Sequence, residues 1–267
     1  MIAALKDRAV LLEVFALVNL AFLAVDIYVA HLVNEFANPL EWLPVVFSSI
    51  APLALLPGLL RYRGFREGVG RIGGLVVGFA SIGVGILGMV LHLNSHFFAA
   101  QTLQNLVYAA PFVAPLAYAG VGFLILLNRM VDVDKQEWGR WVLFFAMGGF
   151  CSNFGLSLLD HAQNGFFYKP EWIPVVASAA GIGFLVTAVA VEADDKLIKA
   201  GMLMMGVEIL VGLLGAVLHV WADLTADVGL YDAFVYGAPA FAPMLFPDLA
   251  LLAVIGLWHD LGFLERS

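Results

Sequence analysis

The sequence has very little cysteine and very little charge. Cys151 is the single cysteine among 267 residues, which excludes an internal disulfide, a cysteine-based zinc site and an iron–sulfur cluster. Charged residues make up 13% of the chain, whereas a soluble domain carries about 25%. The net charge of −8 also leaves no basic face for nucleic acid. A secreted disulfide scaffold and a nucleic-acid-binding domain are therefore excluded.

Apolar residues dominate what remains. Hydrophobic residues make up 62% of the sequence, and the mean hydropathy is +0.94. A soluble globule of this composition could not build a polar surface, so the composition predicts an all-α integral membrane protein that lies in a lipid bilayer. We expect eight transmembrane helices, near residues 10–33, 43–60, 73–93, 107–127, 141–160, 173–191, 200–221 and 235–258.

Positive charges are distributed unequally between the two sides of these spans. Only Lys169 lies on one side, and twelve lie on the other: Lys6, Arg8, Arg61, Arg63, Arg66, Arg71, Arg129, Lys135, Arg140, Lys196, Lys199 and Arg266. Because positive residues favour the cytoplasmic side, both termini are predicted to be cytoplasmic. We expect a multi-pass protein of a bacterial inner membrane, acting alone or with other membrane or periplasmic subunits and without nucleic acid.

The two halves of the sequence resemble each other. Residues 31–49 align with 161–179 at nine identities in nineteen, 84–93 with 211–220 at seven in ten, and 107–115 with 235–243 at six in nine. The offsets of 130, 127 and 128 predict a four-helix membrane repeat over 1–130, a cytoplasmic linker over 131–140 and a second four-helix repeat over 141–267. An even number of spans makes the repeats parallel, related by a pseudo-twofold axis along the membrane normal.

Histidines are concentrated at the outward ends of the predicted spans. Five of the six lie there: His31, His92, His96, His161 and His219. His31 is equivalent to His161 in the repeat, and His92 to His219. The i,i+4 spacing of His92 and His96 recurs as His219 and Asp223, and such residues share a helical face. A single interfacial histidine is often only a polar cap, but the duplicated pattern indicates a ligand set.

Carboxylates lie at the same level as these histidines. Glu41 and Glu171 are repeat equivalents that begin the second and sixth spans, and Asp160 precedes His161. Imidazole and carboxylate together suit iron, copper or zinc. We expect both repeats to contribute to one metal site near the pseudo-twofold axis. A structural interpretation of Glu41 and Glu171 is also open, because the first turn of a helix favours an acidic residue.

Three functions are compatible with these patterns. The favoured one is a membrane metalloprotein whose outward site holds iron or copper, acting as an oxidoreductase or an electron-transfer subunit; zinc would instead suit hydrolysis. The first alternative is an electron-transfer subunit with a b-type haem as cofactor, bound by His92 and His219 from opposite repeats. The second alternative is a transporter or structural subunit without a metal, in which the histidines line a vestibule or cap helices.

Repeated prolines mark the fourth and eighth predicted spans. Pro111 and Pro115 recur as Pro239 and Pro243. The second proline of each pair is expected to kink its helix and open a groove beside the histidines. The glycines of GVGILG (83–88) and GLLG (212–215) are expected to be close-packing positions between helices.

Three acidic residues lie deep within predicted spans, and one of them, Asp248, lies in the eighth. Asp26 precedes His31 by five residues, and Glu208 precedes His219 by eleven. Ionisable groups at such depths are costly and often functional, so Asp26 and Glu208 are candidates for a proton path. A neutral, hydrogen-bonded structural role is the alternative for Glu208.

Overall fold

The computed structural model of the chain describes residues 7–61, 64–191 and 194–264, and all regular structure in these ranges is helical. The α-helices, in chain order, are α1 (Arg8–Leu32), α2 (Trp42–Leu60), α3 (Gly68–Ala100), α4 (Leu103–Val107), α5 (Leu116–Met130), α6 (Gln136–Gln163), α7 (Trp172–Ala190), α8 (Asp195–Thr225), α9 (Leu230–Tyr236) and α10 (Leu245–Leu264). Short 3-10 turns cover Pro39–Glu41, Gly64–Arg66, Lys169–Glu171 and Ala242–Met244.

Seven of the described helices are long and apolar enough to cross a membrane, and α5 is a further apolar helix of 15 residues. The prediction of an all-helical, multi-pass membrane protein is thereby confirmed. Large apolar side chains such as Leu53, Phe79 and Leu203 remain more than half exposed, as expected of side chains that face lipid. Three of the twelve counted positive residues, Lys6, Arg63 and Arg266, lie outside the described residues.

Two of the long helices begin where short polar side chains satisfy free backbone N–H groups. The Asp7 side chain accepts from the N–H of Ala9 at 3.1 Å at the start of α1. Asp194 accepts from the N–H of Leu197 at 2.8 Å at the start of α8. These caps define where two of the apolar helices begin.

Helix contacts within the first half recur in the second half. In the first half α1 packs on α2, α2 on α3 and α3 on α5; in the second half α6 packs on α7, α7 on α8 and α8 on α10. Helices α1, α5, α6 and α10 contact one another in a closed ring that joins the halves. Trp138, Phe150 and Leu143 of α6 are fully buried in the larger apolar core.

The helices of the expected fourth and eighth spans begin later than predicted. Residues 108–115 separate α4 from α5, and the chain between α9 and α10 is also non-helical except for the turn Ala242–Met244. The prediction that Pro115 and Pro243 kink a helix is therefore wrong. Pro115 is the N-cap of α5, and Pro243 lies in the 3-10 turn before α10. A proline has a preset φ and no N–H, so it begins a helix without cost.

The fold places two different chemistries at opposite ends of the bundle. At the first end, the arginine end, the start of α1 meets the ends of α5 and α10: Asn128 Nδ2 donates to Ala9 O at 3.0 Å, and Arg8 Nη2 donates to Trp258 O at 3.0 Å. At the other end, the histidine end, α1 and α6 carry His31 and His161 in their last turns. Helix α1 is about 36 Å long at 1.5 Å per residue, enough to cross a bilayer core of about 30 Å.

Candidate functional site

The histidine end contains two histidine pairs, and each pair lies within one half of the chain. His31 of α1 stands edge-on to His92 of α3, with ring centres 6.2 Å apart and planes at 86°. His161 of α6 stands in the same way to His219 of α8, at 6.5 Å and 84°. All four residues are half-buried. We expected histidines of opposite repeats to meet, whereas the ring contacts that the structure describes join histidines of the same half.

One histidine of each pair is oriented by a proline carbonyl. His92 Nδ1 lies 3.0 Å from Pro111 O, and His219 Nδ1 lies 3.0 Å from Pro239 O. Because a carbonyl oxygen can only accept, Nδ1 carries the proton, and Nε2 of the neutral ring keeps a free lone pair. Metal-binding histidines are commonly oriented in this way, with the second ring nitrogen donating to a carbonyl.

Glycines allow the proline turns to approach α3 and α8 closely. A Cβ at Gly85 would lie 2.9 Å from Pro115 O, and one at Gly212 would lie 2.7 Å from Pro243 O. Gly88 and Gly215 similarly leave room for the proline rings. These glycines therefore pack against Pro115 and Pro243, four residues after the prolines whose carbonyls contact His92 and His219.

A strained turn follows each of the other two histidines. Glu35 and Phe36 both have a φ of +54°, and the equivalent Gly165 and Phe166 have φ values of +69° and +52°. Positive φ is rare for a bulky residue and is often found at functional sites. The turn places the Phe36 ring 5.8 Å from His31 and stacks it on Trp42 at 4.2 Å. Phe166 makes the corresponding contacts with His161 and Trp172.

A glutamate lies beside each pair. Glu41 Oε1 accepts from Asn34 Nδ2 at 2.9 Å, whereas Oε2 of Glu41 and Oε2 of Glu171 are buried without a hydrogen-bond partner among the described residues. Glu41 acts electrostatically on His31, and Glu171 acts on His161. Each half thus brings together two imidazoles and one incompletely satisfied carboxylate.

The second pair has an additional acid nearby. Asp160, adjacent to His161 in sequence, interacts electrostatically with His219. Its equivalent in the first half, by the offset of 130, is Ala30. The two constellations are therefore similar in their core residues and different in charge.

His96 and Asp223 lie beyond the histidine pairs. Asp223 is buried, and its Oδ1 accepts from the N–H of Ala238 at 2.9 Å. Ser95 Oγ accepts from the N–H of Ala110 at the same distance in the first half. This places Asp223 as an anchor of the loop before α10. His96 is exposed, one turn beyond His92, and no described contact joins its ring to a pair.

No described contact joins Glu208 or Asp26 to the histidine pairs. Glu208 is fully buried, and neither carboxyl oxygen has a hydrogen-bond partner among the described residues. Its Oε1 lies near Gly181 of α7 and the Phe150 ring of α6. Asp26 is half-buried on α1 and interacts electrostatically with Tyr118 of α5. The structure describes no continuous chain of polar groups from either acid to a histidine.

Within the described ranges, no three His, Cys, Asp or Glu side chains converge closely enough to hold a metal ion as they stand. Two imidazoles on one tetrahedral metal have ring centres roughly 5 Å apart, given metal–nitrogen bonds of about 2.0–2.1 Å. Each histidine pair would need to close by about 1 Å to reach that geometry. The carboxyl group of Glu41 or Glu171 would then supply a third ligand.

Sequence reasoning missed the proline carbonyls and the strained phenylalanines. The repeated Pro-xxx-Pro pattern marked the right segments, but which atom those segments present depends on a turn that periodicity does not reveal. The glycine at position 165, which is equivalent to Glu35 in the repeat, was a signal in the sequence that the backbone is left-handed at this position. No protein-family model matches the chain, and no curated protein or solved structure is detectably similar to it.

Proposed function

We propose that the chain is a multi-pass membrane metalloprotein with two equivalent metal sites at the histidine end. The first site consists of His31, His92 and Glu41. The second consists of His161, His219 and Glu171, with Asp160 nearby. The observation that supports the proposal most directly is the duplicated histidine pair in which one ring is held by a proline carbonyl.

The proposed architecture is two parallel four-helix repeats related by a pseudo-twofold axis along the membrane normal. The sequence offsets and the matching helix contacts of the two halves support it. We propose that both termini are cytoplasmic, because twelve of thirteen positive residues fall on their side. The histidine end then faces the periplasm of a bacterial inner membrane.

The polar groups of each site fit a metal ion. Nε2 of His92 and Nε2 of His219 are left free by the proline contacts. Burying an acceptor without a partner costs about 1–3 kcal/mol, and a cation would offset this cost for Oε2 of Glu41 and of Glu171. Two imidazoles and one carboxylate suit iron, copper or zinc and leave positions open for water or a small substrate.

A redox role agrees best with this ligand set. The two-imidazole, one-carboxylate combination with open positions is typical of non-haem iron sites that react with oxygen. We propose an oxidoreductase or electron-transfer function with iron or copper. The partners of His92 and His219 in the described ring contacts are histidines of the same half, which favours separate non-haem sites over a shared haem.

Metal content measured on purified protein tests the proposal. Plasma mass spectrometry is expected to find two metal ions per chain. His92→Ala and His219→Ala are each expected to remove one, and the double variant both. His96→Ala is the matched control, since His96 is exposed and outside both pairs, and it should keep both ions.

The same measurements separate the alternatives. If the unmodified protein held one ion and each single variant held none, the two repeats would share one site. A Soret band with stoichiometric iron would indicate haem. Metal-free protein of native stability would overturn the proposal and favour a transporter or structural subunit.

A further inference from the structure

The arginine end contains a shallow, open cavity of about 310 Å³ between the start of α3 and the end of α5. Its lining residues are Arg66, Arg71, Arg129, Met130, Val131 and Asp132. Arg66 is held in place, because its Nη2 donates to Val131 O at 2.8 Å and its Nη1 lies 3.5 Å from Asp132 Oδ1. The cavity therefore presents the guanidinium groups of Arg66 and Arg71, of which that of Arg66 is fixed by the backbone, while the guanidinium of Arg129 is buried behind it in an ion pair with Glu13.

The charges that line the cavity do not cancel. The carboxylate of Glu13 neutralises Arg129, and Asp132 neutralises Arg66. A hydrogen bond from the N–H of Asp134, together with the nearby Arg66, holds the pKa of Asp132 below its ordinary value, so this carboxylate is ionised at neutral pH. Arg71 has no acidic partner among the described contacts. A net charge of about +1 is left, which matches the single negative charge of a phosphodiester.

The second half fills the equivalent place with apolar side chains. By the repeat offsets, Arg71 corresponds to Ile198, Arg129 to Leu257 and Glu13 to Leu143, and all three apolar residues are almost fully buried. The local packing is otherwise alike, because Gly74 lies against Arg129 as Gly201 lies against Leu257.

The apolar residues of the second half show whether the fold needs charged side chains at this place for its stability. Well-packed apolar side chains are generally as stabilising as a buried ion pair or more so. The fold therefore does not require charged side chains at this place. Binding of a ligand would account for the charged groups of the first half.

The cavity lies at the level expected for lipid headgroups. Arg71 and His92 are 21 residues apart on α3, or about 31 Å along the helix axis, which is close to the thickness of a bilayer core. Val69 and Ile72, on either side of Arg71, are 84% and 62% exposed. A group bound by Arg71 would thus have apolar surface beside it, where acyl chains could lie.

We propose that this cavity binds one phosphate group of single negative charge, supplied by the headgroup of an anionic phospholipid. Arg71 is the contact that an incoming phosphate gains, while Arg66 provides a pre-positioned donor. The site is independent of the metal sites, because it lies at the opposite end of α3.

Titration of lipid into the full-length protein, followed by native mass spectrometry, tests the proposal. Phosphatidylglycerol is expected to bind as one retained molecule, more tightly than phosphatidylcholine. Arg71→Ala should weaken phosphatidylglycerol binding about fivefold, since one arginine near a membrane surface is worth about that factor. Arg61→Ala is the matched control, because Arg61 lies near the same end but outside the cavity lining, and its effect should stay within about twofold.

A parallel titration with inorganic phosphate distinguishes the source of the phosphate group. Binding of inorganic phosphate that depends on Arg71, without retained lipid, would keep the anion site but overturn the lipid assignment. Unchanged phosphatidylglycerol binding in Arg71→Ala, or an equal loss in Arg61→Ala, would overturn the site. Circular dichroism of both variants checks that each retains its helices.

Discussion

Glu13 on α1 and Arg129 on α5 form a doubly hydrogen-bonded ion pair whose side chains have no solvent exposure. Glu13 Oε2 also accepts from Asn128 Nδ2 at 3.1 Å. Arg129→Leu should destabilise the protein by about 3–5 kcal/mol, because Glu13 would be left as an uncompensated buried charge. Thermal unfolding of the purified protein measures this loss.

The second half provides the control for that prediction. Leu143 and Leu257 occupy the equivalent positions, so the double variant Glu13→Leu with Arg129→Leu should recover most of the lost stability. A double variant as unstable as the single one would show that these residues do more than balance each other's charge.

Metal retention should fall steeply as the pH is lowered. Histidine binds a metal only when neutral, and its ordinary pKa is about 6.5. Protons compete with the metal at both histidines of a site, so metal affinity should fall between pH 7.5 and pH 5.5. Metal content after dialysis at the two pH values measures the change. Equal retention at both values would exclude histidine as the main ligand.

Glu35→Gly should stabilise the protein. Glu35 has a φ of +54°, and a residue with a Cβ in the left-handed region costs about 1–2 kcal/mol. The equivalent residue is already glycine, so Gly165→Ala should destabilise the protein by a similar amount. Thermal unfolding of both variants checks the opposite signs. Metal content measured in parallel should not change in Glu35→Gly, because Glu41 is the proposed ligand of this site.

Glu208→Met should also stabilise the protein. A buried polar group without a partner costs about 1–3 kcal/mol, and methionine fills similar space without that cost. At the equivalent position, Ser81 Oγ donates to Tyr118 O at 2.7 Å, so Ser81→Ala should be destabilising by about 1 kcal/mol. A loss of stability in Glu208→Met would show that the carboxyl group has a stabilising partner.

Much of the fold was accessible from the sequence, because lipid leaves few choices. Backbone groups in a bilayer must be paired internally, so long apolar segments become helices. The predicted helix boundaries were wrong near two of the prolines. Pro115 and Pro243 were expected inside helices, but the chain turns before each of them, and both help to begin the helix that follows.

The histidine end was also predictable from the sequence only in part. Repeat alignment identified His31, His92, His161 and His219 and the adjacent glutamates, because the same residue types recur at equivalent positions of the two halves. It did not predict which histidines would be neighbours. That depends on the approach of His31 to His92 and of His161 to His219, between residues about 60 positions apart in each half.

The amino-acid sequence alone determined that this is a helical membrane protein, and it identified the residues with ligand chemistry, because hydropathy and side-chain type are local properties. Only the tertiary structure decided that histidines pair within each half, that proline carbonyls orient two of them, and that a charged cavity lies at the opposite end. These relationships arise from close approach between distant segments, which no local pattern encodes.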